Sequence, residues 1–406
     1  MFLIKARYIF VCDEAFTILE NKALCFDEKI IELGEFEKLA LKYPQAKLIQ
    51  TPPNSLILPA FINPHTHLEF SANAYTLHYG DFLVWLKSVI NARSNLSQKA
   101  KEKLILNTMR SMLESGTATI GEISSFASDL TACVKSPMRV VFFNEILGVN
   151  ENANEAKKQD FLKRFHSSLE HKNENFIPAI SLHSPYSLNK DLALFALDLA
   201  KKYNLLVSTH FLESDHEFKW LHHKGKGFEK WLRFFEPNPK PKFSPQSFLE
   251  LFKGVRTLFT HCVYVKDFSY FDKNLHFITH CAVSNRLLSK ARFSLKKALK
   301  AGMNVHLGTD GLSSNISLSM LDEMRANLLI HQDFKPQDLA KELLLMATSK
   351  PAKALNLELG KLKAGKIADI SVFKVQECDL KQLPLQFVLN AKKVEKIFIK
   401  GKECSF

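Results

Sequence analysis

The sequence predicts a (β/α)8 barrel carrying a small β-sandwich domain built from both chain termini. Three observations carry this expectation. Short apolar runs alternate with longer amphipathic stretches through the middle of the chain. The alternation repeats eight times over roughly 250 residues, the usual span of such a barrel. The two ends carry short strand-like segments and resemble each other more than either resembles the middle.

The N-terminal strands read as "LIKARYIFV", "TILENKALCF" and "KIIELG", and the C-terminal ones as "IADISVFKV" and "VEKIFIKGKEC". The expected division is 1–55 with 356–406 as the composite β domain, and 56–355 as the barrel. The barrel strands are expected at "LILPAFI" (56–62), "TATIGEI" (117–123), "RVVFFNEIL" (139–147), "IPAISLH" (177–183), "LLVSTHF" (205–211), "TLFTHCV" (257–263), "LHFITHC" (275–281) and "NVHLGTD" (304–310). Stretches such as "QKAKEKLILNTMRSMLESG" and "DLALFALDLAKKY" supply the helices between them. A doubly wound open sheet is the main rival. Neither G-x-G-x-x-G nor G-x-x-x-x-G-K-[ST] occurs to support a nucleotide-binding one. The Pro-rich "FFEPNPKPKFSPQ" (234–246), between strands five and six, is a lid or simply a long connection.

With 406 residues, 46% of them hydrophobic and 24% charged, the chain has material for a large core and an ordinary surface. The net charge of +13 comes from lysines scattered without a basic block, which argues against nucleic-acid binding. The excess suits attraction of an anionic small substrate. Seven dispersed cysteines, with no C-x-x-C, fit neither a disulfide framework nor a cysteine zinc site. No signal-peptide pattern is present and no apolar run approaches the ~18 residues needed to span a bilayer. A cytoplasmic protein with no membrane partner is expected.

In a barrel of this kind, the C-terminal strand ends carry the active site. Those ends hold His65 and His67, His183, His210 followed by Glu213, His261, His280 and Asp310. Strand alternation puts His65 and His67 on one face, so two imidazoles can share one cation. His210 and Asp310 complete a candidate set of three nitrogens and one carboxylate, which suits Zn2+ and also Fe2+ or Mn2+. Cys262 and Cys281 each follow such a histidine and are expected to face the other way, as packing residues.

With these residues in place, the chain resembles the amidohydrolase superfamily, in its mononuclear deaminase branch. "PHTH" resembles the family's H-x-H signature, and "STHFLES" its strand-five motif, where a glutamate follows the metal histidine by three. "THC" and "GTDGLSSN" resemble its strand-six and strand-eight signatures, and "LGKLKAGKIADISVF" its return into the small β domain. The resemblance implies His65, His67, His210 and Asp310 as ligands of one divalent metal, Zn2+ or Fe2+. It implies Glu213 as proton shuttle, His261 and Asp310 as hydrogen-bond partners of the attacking water, and His183 as a substrate contact. Binuclear members use a carboxylated lysine after strand four, and "AISLHSPY" offers none, which implies a single metal. Relatives commonly place proline where Ala282 stands, so the roles of Ser284 and Asn285 stay open. Glu69 is also left unassigned. The resemblance further implies a homodimer.

A metal lowers the pKa of water towards ~7, and a nearby carboxylate can carry the proton to a ring nitrogen of an aromatic amidine. The expected reaction is therefore hydrolytic deamination of a purine nucleoside. Phe82 and Trp85 are candidates to stack on the base, and Glu145 to accept hydrogen bonds from ribose or base. The family's substrates include adenosine, methylthioadenosine, S-adenosylhomocysteine and guanine. No arginine stands between 140 and 163, which tilts away from S-adenosylhomocysteine, whose carboxylate relatives hold with arginines there. The alternatives are a chlorohydrolase-like mononuclear hydrolase and a catalytically dead scaffold of the same fold.

Overall fold

A computed structural model describes residues 1–92 and 96–405. The chain opens with β1 (Phe2–Phe10), β2 (Ile18–Phe26), β3 (Ile30–Gly34), β4 (Lys47–Ile49) and β5 (Ser55–Pro59). It continues through β6 (Phe61–Thr66), β7 (Thr117–Ser124), β8 (Arg139–Ile146), β9 (Phe176–Leu182), β10 (Val207–Phe211), β11 (Thr257–His261), β12 (His276–His280) and β13 (Asn304–Leu307). It ends with β14 (Ile370–Lys374), β15 (Lys396–Ile399) and β16 (Lys402–Glu403).

Strands β6 to β13 form one parallel sheet in sequential order. Their residues are buried almost without exception, as in a sheet covered on both faces. The seam between β13 and β6 is bridged beyond the ladder. Asp310 N donates to His65 O (3.1 Å), Thr309 N to Asn63 Oδ1 (3.1 Å), and Asn63 Nδ2 to Thr309 Oγ1 (2.7 Å). These bonds draw the first and last strand ends together, and with them His65 and Asp310.

The remaining strands form one mixed sheet in the order β16-β15-β14-β5-β1-β2-β3, with β4 on β1. One face buries Ile4, Leu24, Phe26, Ile370, Val372 and Phe398. The other buries Leu3, Ala23 and Cys25 under Leu39 of helix Phe36–Lys42.

The apolar run expected as the first barrel strand is divided between the two sheets. Leu56–Pro59 pairs with β14 and, in part, β1, whereas β6 begins at Phe61. Both halves are buried on both faces, so hydrophobicity does not change where the chain changes sheet. The polar "NPHT" that follows looks like loop but extends the barrel strand. Gly121 explains the fit there, because a Cβ on it would meet Pro64 O at 2.2 Å. Only glycine on β7 lets β6 pass that closely.

One buried ion pair joins the sheets. Arg139 on β8 pairs with Asp369, just before β14, and both side chains are 2% exposed. The other Asp369 oxygen accepts from Lys400 N (2.8 Å). Asp369→Ala leaves the guanidinium buried without its carboxylate. We expect a loss of about 3–5 kcal/mol in unfolding free energy, read by urea denaturation. A loss under about 0.5 kcal/mol, typical of surface changes, is the contrary result.

The 234–246 segment follows helix Lys226–Leu232 and runs into the start of helix Pro245–Leu251, and none of its residues lines the candidate cavity. No helix among the described residues is long and apolar enough to cross a membrane.

Candidate active site

His65, His67, His210 and Asp310 converge at the C-terminal end of the barrel, each offering one donor atom within 4.8 Å of the others. His67 Nε2 stands 3.2 Å from His210 Nε2, and Asp310 Oδ1 lies 3.3 Å from His67 Nε2 and 3.6 Å from His65 Nε2. His210 Nδ1 donates to His183 O (2.9 Å), which leaves its Nε2 as a bare lone pair. The Nε2 of His65 is buried without a hydrogen-bond partner. Burial, and then the neighbouring His65, His183 and His261, hold His67 down to about 3 despite Asp310. Burial and the same histidine crowd depress His210. Burial works against Asp310 ionising, yet the hydrogen bond to His65 and the nearby His67 and His261 keep its carboxyl well below the usual range. Three imidazoles and a carboxylate, with their donor atoms converging on one point, fit a divalent cation.

Asp310 sits at φ +61°. Its Oδ2 accepts from Ser284 Oγ (2.7 Å) and Ser314 Oγ (2.6 Å), which turns Oδ1 towards the histidines. Ser284 is on helix Ala282–Leu288, whose first turn is held by the Glu323 carboxylate through Ala282 N and Val283 N (3.3 Å). The departure at Ala282 thus has a use, since a proline has no N–H to give Glu323. Ser284→Ala removes one of the two bonds that aim Asp310. We expect metal affinity to fall about 10-fold or more, measured by competition with a chromophoric chelator; unchanged affinity removes Ser284 from that task.

Glu213 is placed by a turn beyond β10, where Leu212 takes φ +49°. The Glu217 carboxylate accepts from Leu212 N (3.0 Å) and Glu213 N (2.8 Å) and so braces the turn. Glu213 Oε1 lies 3.6 Å from His261 Nε2. Burial, then Asp310 and Glu217, push the Glu213 carboxyl well above the ordinary carboxylate range. Such a group holds a proton more readily than an ordinary carboxylate, which suits it to proton transfer. Burial, opposed by Asp310, pulls His261 down to about 4, so its ring is neutral.

The cavity above these residues is walled by Phe82 and Trp85 of helix Phe82–Asn91, by Tyr186, and by Glu145 and His183. Trp85 is fixed by a bond from Nε1 to Ser313 O (2.8 Å). His183 Nδ1 is engaged by Ser187 Oγ (2.5 Å) and Ser184 Oγ (3.0 Å), which leaves Nε2 for the cavity. Glu145 Oε2 accepts from Ser125 Oγ (2.5 Å), while Oε1 is buried with no partner. Arg164 stands one residue past the window free of arginine. It is committed to Glu145 O (3.0 Å) and Asp160 Oδ2 (3.0 Å) and does not line the cavity.

Two of the polar residues near the strand ends lie apart from the donor cluster. Glu69 accepts from Ser125 N, Phe126 N and Ser128 N at 2.7–3.0 Å, and from Ser128 Oγ at 2.8 Å, so it shapes the loop beyond β7 that carries Ser125. Burial, then Asp129, pushes its carboxyl up to about 8. His280 bonds to Asn285 and His331. Cys262 and Cys281 are fully buried.

The Amidohydrolase family model matches residues 56–404. The chain belongs to the amidohydrolase family, and the family together with the His/Asp cluster supports a divalent metal. Among individual proteins, it is 43% identical over 396 residues to the aminodeoxyfutalosine deaminase of a Nitratiruptor species, covering 95% of this chain and 96% of that protein. It is 40% identical over 409 residues to an adenosine deaminase of Helicobacter pylori, with 98% of each covered. The crystal structure of Helicobacter pylori aminofutalosine deaminase in complex with methylthio-coformycin superposes over 100% of both chains, with a TM-score of 0.93 and 38% identity.

Proposed function

We propose that this chain is a metal-dependent hydrolytic deaminase of adenine-type nucleosides, acting on 6-aminodeoxyfutalosine to release futalosine and ammonia. The observation that carries it is the four-donor cluster facing the buried Glu213 carboxyl under an aromatic cavity wall, in a chain similar over its whole length to aminodeoxyfutalosine deaminase. The resemblance supports a role for this step in menaquinone biosynthesis.

His65, His67, His210 and Asp310 would hold one ion, Zn2+ or Fe2+, since three imidazole nitrogens and a carboxylate suit either. That ion supplies Lewis acidity, which makes the attacking water acidic at neutral pH. Glu213 takes the water's proton and passes it to the ring nitrogen beside the amino-bearing carbon. His261 holds the water through Nε2. The C–O bond forms, Glu213 carries the new hydroxyl's remaining proton to the amino group, the C–N bond breaks, and the amine leaves as ammonia. Phe82 and Trp85 confine the base, His183 meets it through Nε2, and the unpartnered Glu145 Oε1 is available to a sugar hydroxyl.

Adenosine is the second reading, favoured by the likeness to the Helicobacter pylori adenosine deaminase. A comparison of kcat/KM for aminodeoxyfutalosine, adenosine, methylthioadenosine, S-adenosylhomocysteine and guanine decides between them. Aminodeoxyfutalosine is expected to lead; a clear preference for any other replaces the substrate. We assign the domains at 1–55 with 356–406 and at 56–355, with β5 continuing the small sheet past that boundary. Seven free cysteines support a reducing, cytoplasmic setting. The homodimer implied by the family is tested by light scattering.

A further inference from the structure

His261 is one end of a hydrogen-bonded chain that leads away from the cavity. His261 Nδ1 meets Asn285 Oδ1 at 2.8 Å, Asn285 Nδ2 meets His280 Nδ1 at 3.2 Å, and His280 Nε2 meets His331 Nε2 at 3.0 Å. His331 is at the C-terminal end of helix Met320–Ile330, outside the site described above. The four side chains are 0–3% exposed, so bulk water does not interrupt the chain.

Such a chain has only two internally consistent states. A neutral imidazole carries one N–H, and the amide has one donor end and one acceptor end. His261 Nε2 is buried without a hydrogen-bond partner, while burial holds His331 down to about 4 and His280 well below the usual range. In the arrangement seen, His261 donates from Nδ1 to Asn285. Asn285 donates to His280 Nδ1, and His280 donates from Nε2 to His331. His261 then presents a bare Nε2, towards Glu213 Oε1 at 3.6 Å. In the opposite arrangement every bond reverses, and His261 presents an N–H instead.

We propose that His331 is a positioning residue: through His280 and Asn285 it fixes the tautomer in which His261 offers a lone pair to the site. With His331 as acceptor the chain runs as described, and with His331 as donor every bond would reverse. The catalytic consequence rests on the proposed role of His261 in holding the attacking water. A bare Nε2 accepts a hydrogen bond from that water and draws it towards deprotonation. An N–H would donate to the water and hold its lone pair away from the substrate.

The test uses the full-length, zinc-loaded protein labelled with 15N-histidine. Long-range 1H–15N spectra separate the two imidazole tautomers. We expect Nδ1–H at His261 and His331 and Nε2–H at His280. Nδ1–H or a charged ring at His280 overturns the proposal. His331→Gln still offers a carbonyl acceptor and should keep the His280 tautomer, with kcat within about threefold of wild type. His331→Arg can only donate. It should reverse His280 and His261 and lower kcat by about 10-fold or more, with KM within about threefold. Reversal without loss of kcat overturns the positioning role. Should the arginine variant fail to fold, the wild-type and glutamine spectra still decide. Wild-type protein with the expected tautomers but no activity on any purine nucleoside supports the chain while overturning the proposed reaction.

Discussion

Glu213→Gln is expected to leave the metal bound and to lower kcat by about 10²–10⁴-fold. None of the four converging donor groups is lost, so metal content by elemental analysis should match wild type. The substitution is nearly isosteric, and the backbone turn stays braced by Glu217. What disappears is the carboxyl proposed to accept a proton from water and return it. Burial, then Asp310 and Glu217, make this carboxyl hold a proton more readily than an ordinary one, and an amide cannot exchange a proton in that way. A variant with near-wild-type kcat and full metal would remove Glu213 from proton transfer and point to His261 or Asp310 in its place.

His210→Ala should lose metal and activity together. The residue supplies an Nε2 pre-aimed by its bond to His183 O, and its loss takes one of the four donors out of the cluster. The loss of affinity should exceed the about 10–100-fold typical of removing an outer hydrogen-bond partner. The variant therefore discriminates between the donor and the bonds that aim donors, such as those of Ser284. A fully metallated, active variant would remove His210 from the ligand set.

The parts of the molecule most legible in the sequence are those with a strong local signature. Each barrel strand is an apolar run, and most begin within a residue or two of the expected place. His65, His67, His210 and Asp310 could be grouped because all lie at the same end of alternating strands, and the structure brings them together. What could not be read depends on contacts between distant segments. Nothing in "LILPAFI" marks the point where the chain leaves one sheet for the other, since both are equally dry. Glu69 contacts residues 125–128, more than fifty positions away, and looked like either a loop residue or part of the metal's surroundings. Ser284, Asn285 and Glu323 act by hydrogen bonds whose partners are fixed only on folding. Arg164 fell one residue outside the span that was free of arginine, yet its hydrogen bonds are to the chain itself.

The division of that apolar run has a consequence during synthesis. Strand β5 is completed by β14, which leaves the ribosome about 310 residues later. At about 5–20 residues per second that is a delay of roughly 15–60 seconds. Throughout it, β5 presents an unpaired apolar edge one residue upstream of the strand that carries His65. The barrel can begin to close during the delay, but the sheet that anchors its first strand cannot. Chaperone occupancy of nascent chains should therefore be heaviest on the 2–59 segment and fall once 370–374 has emerged.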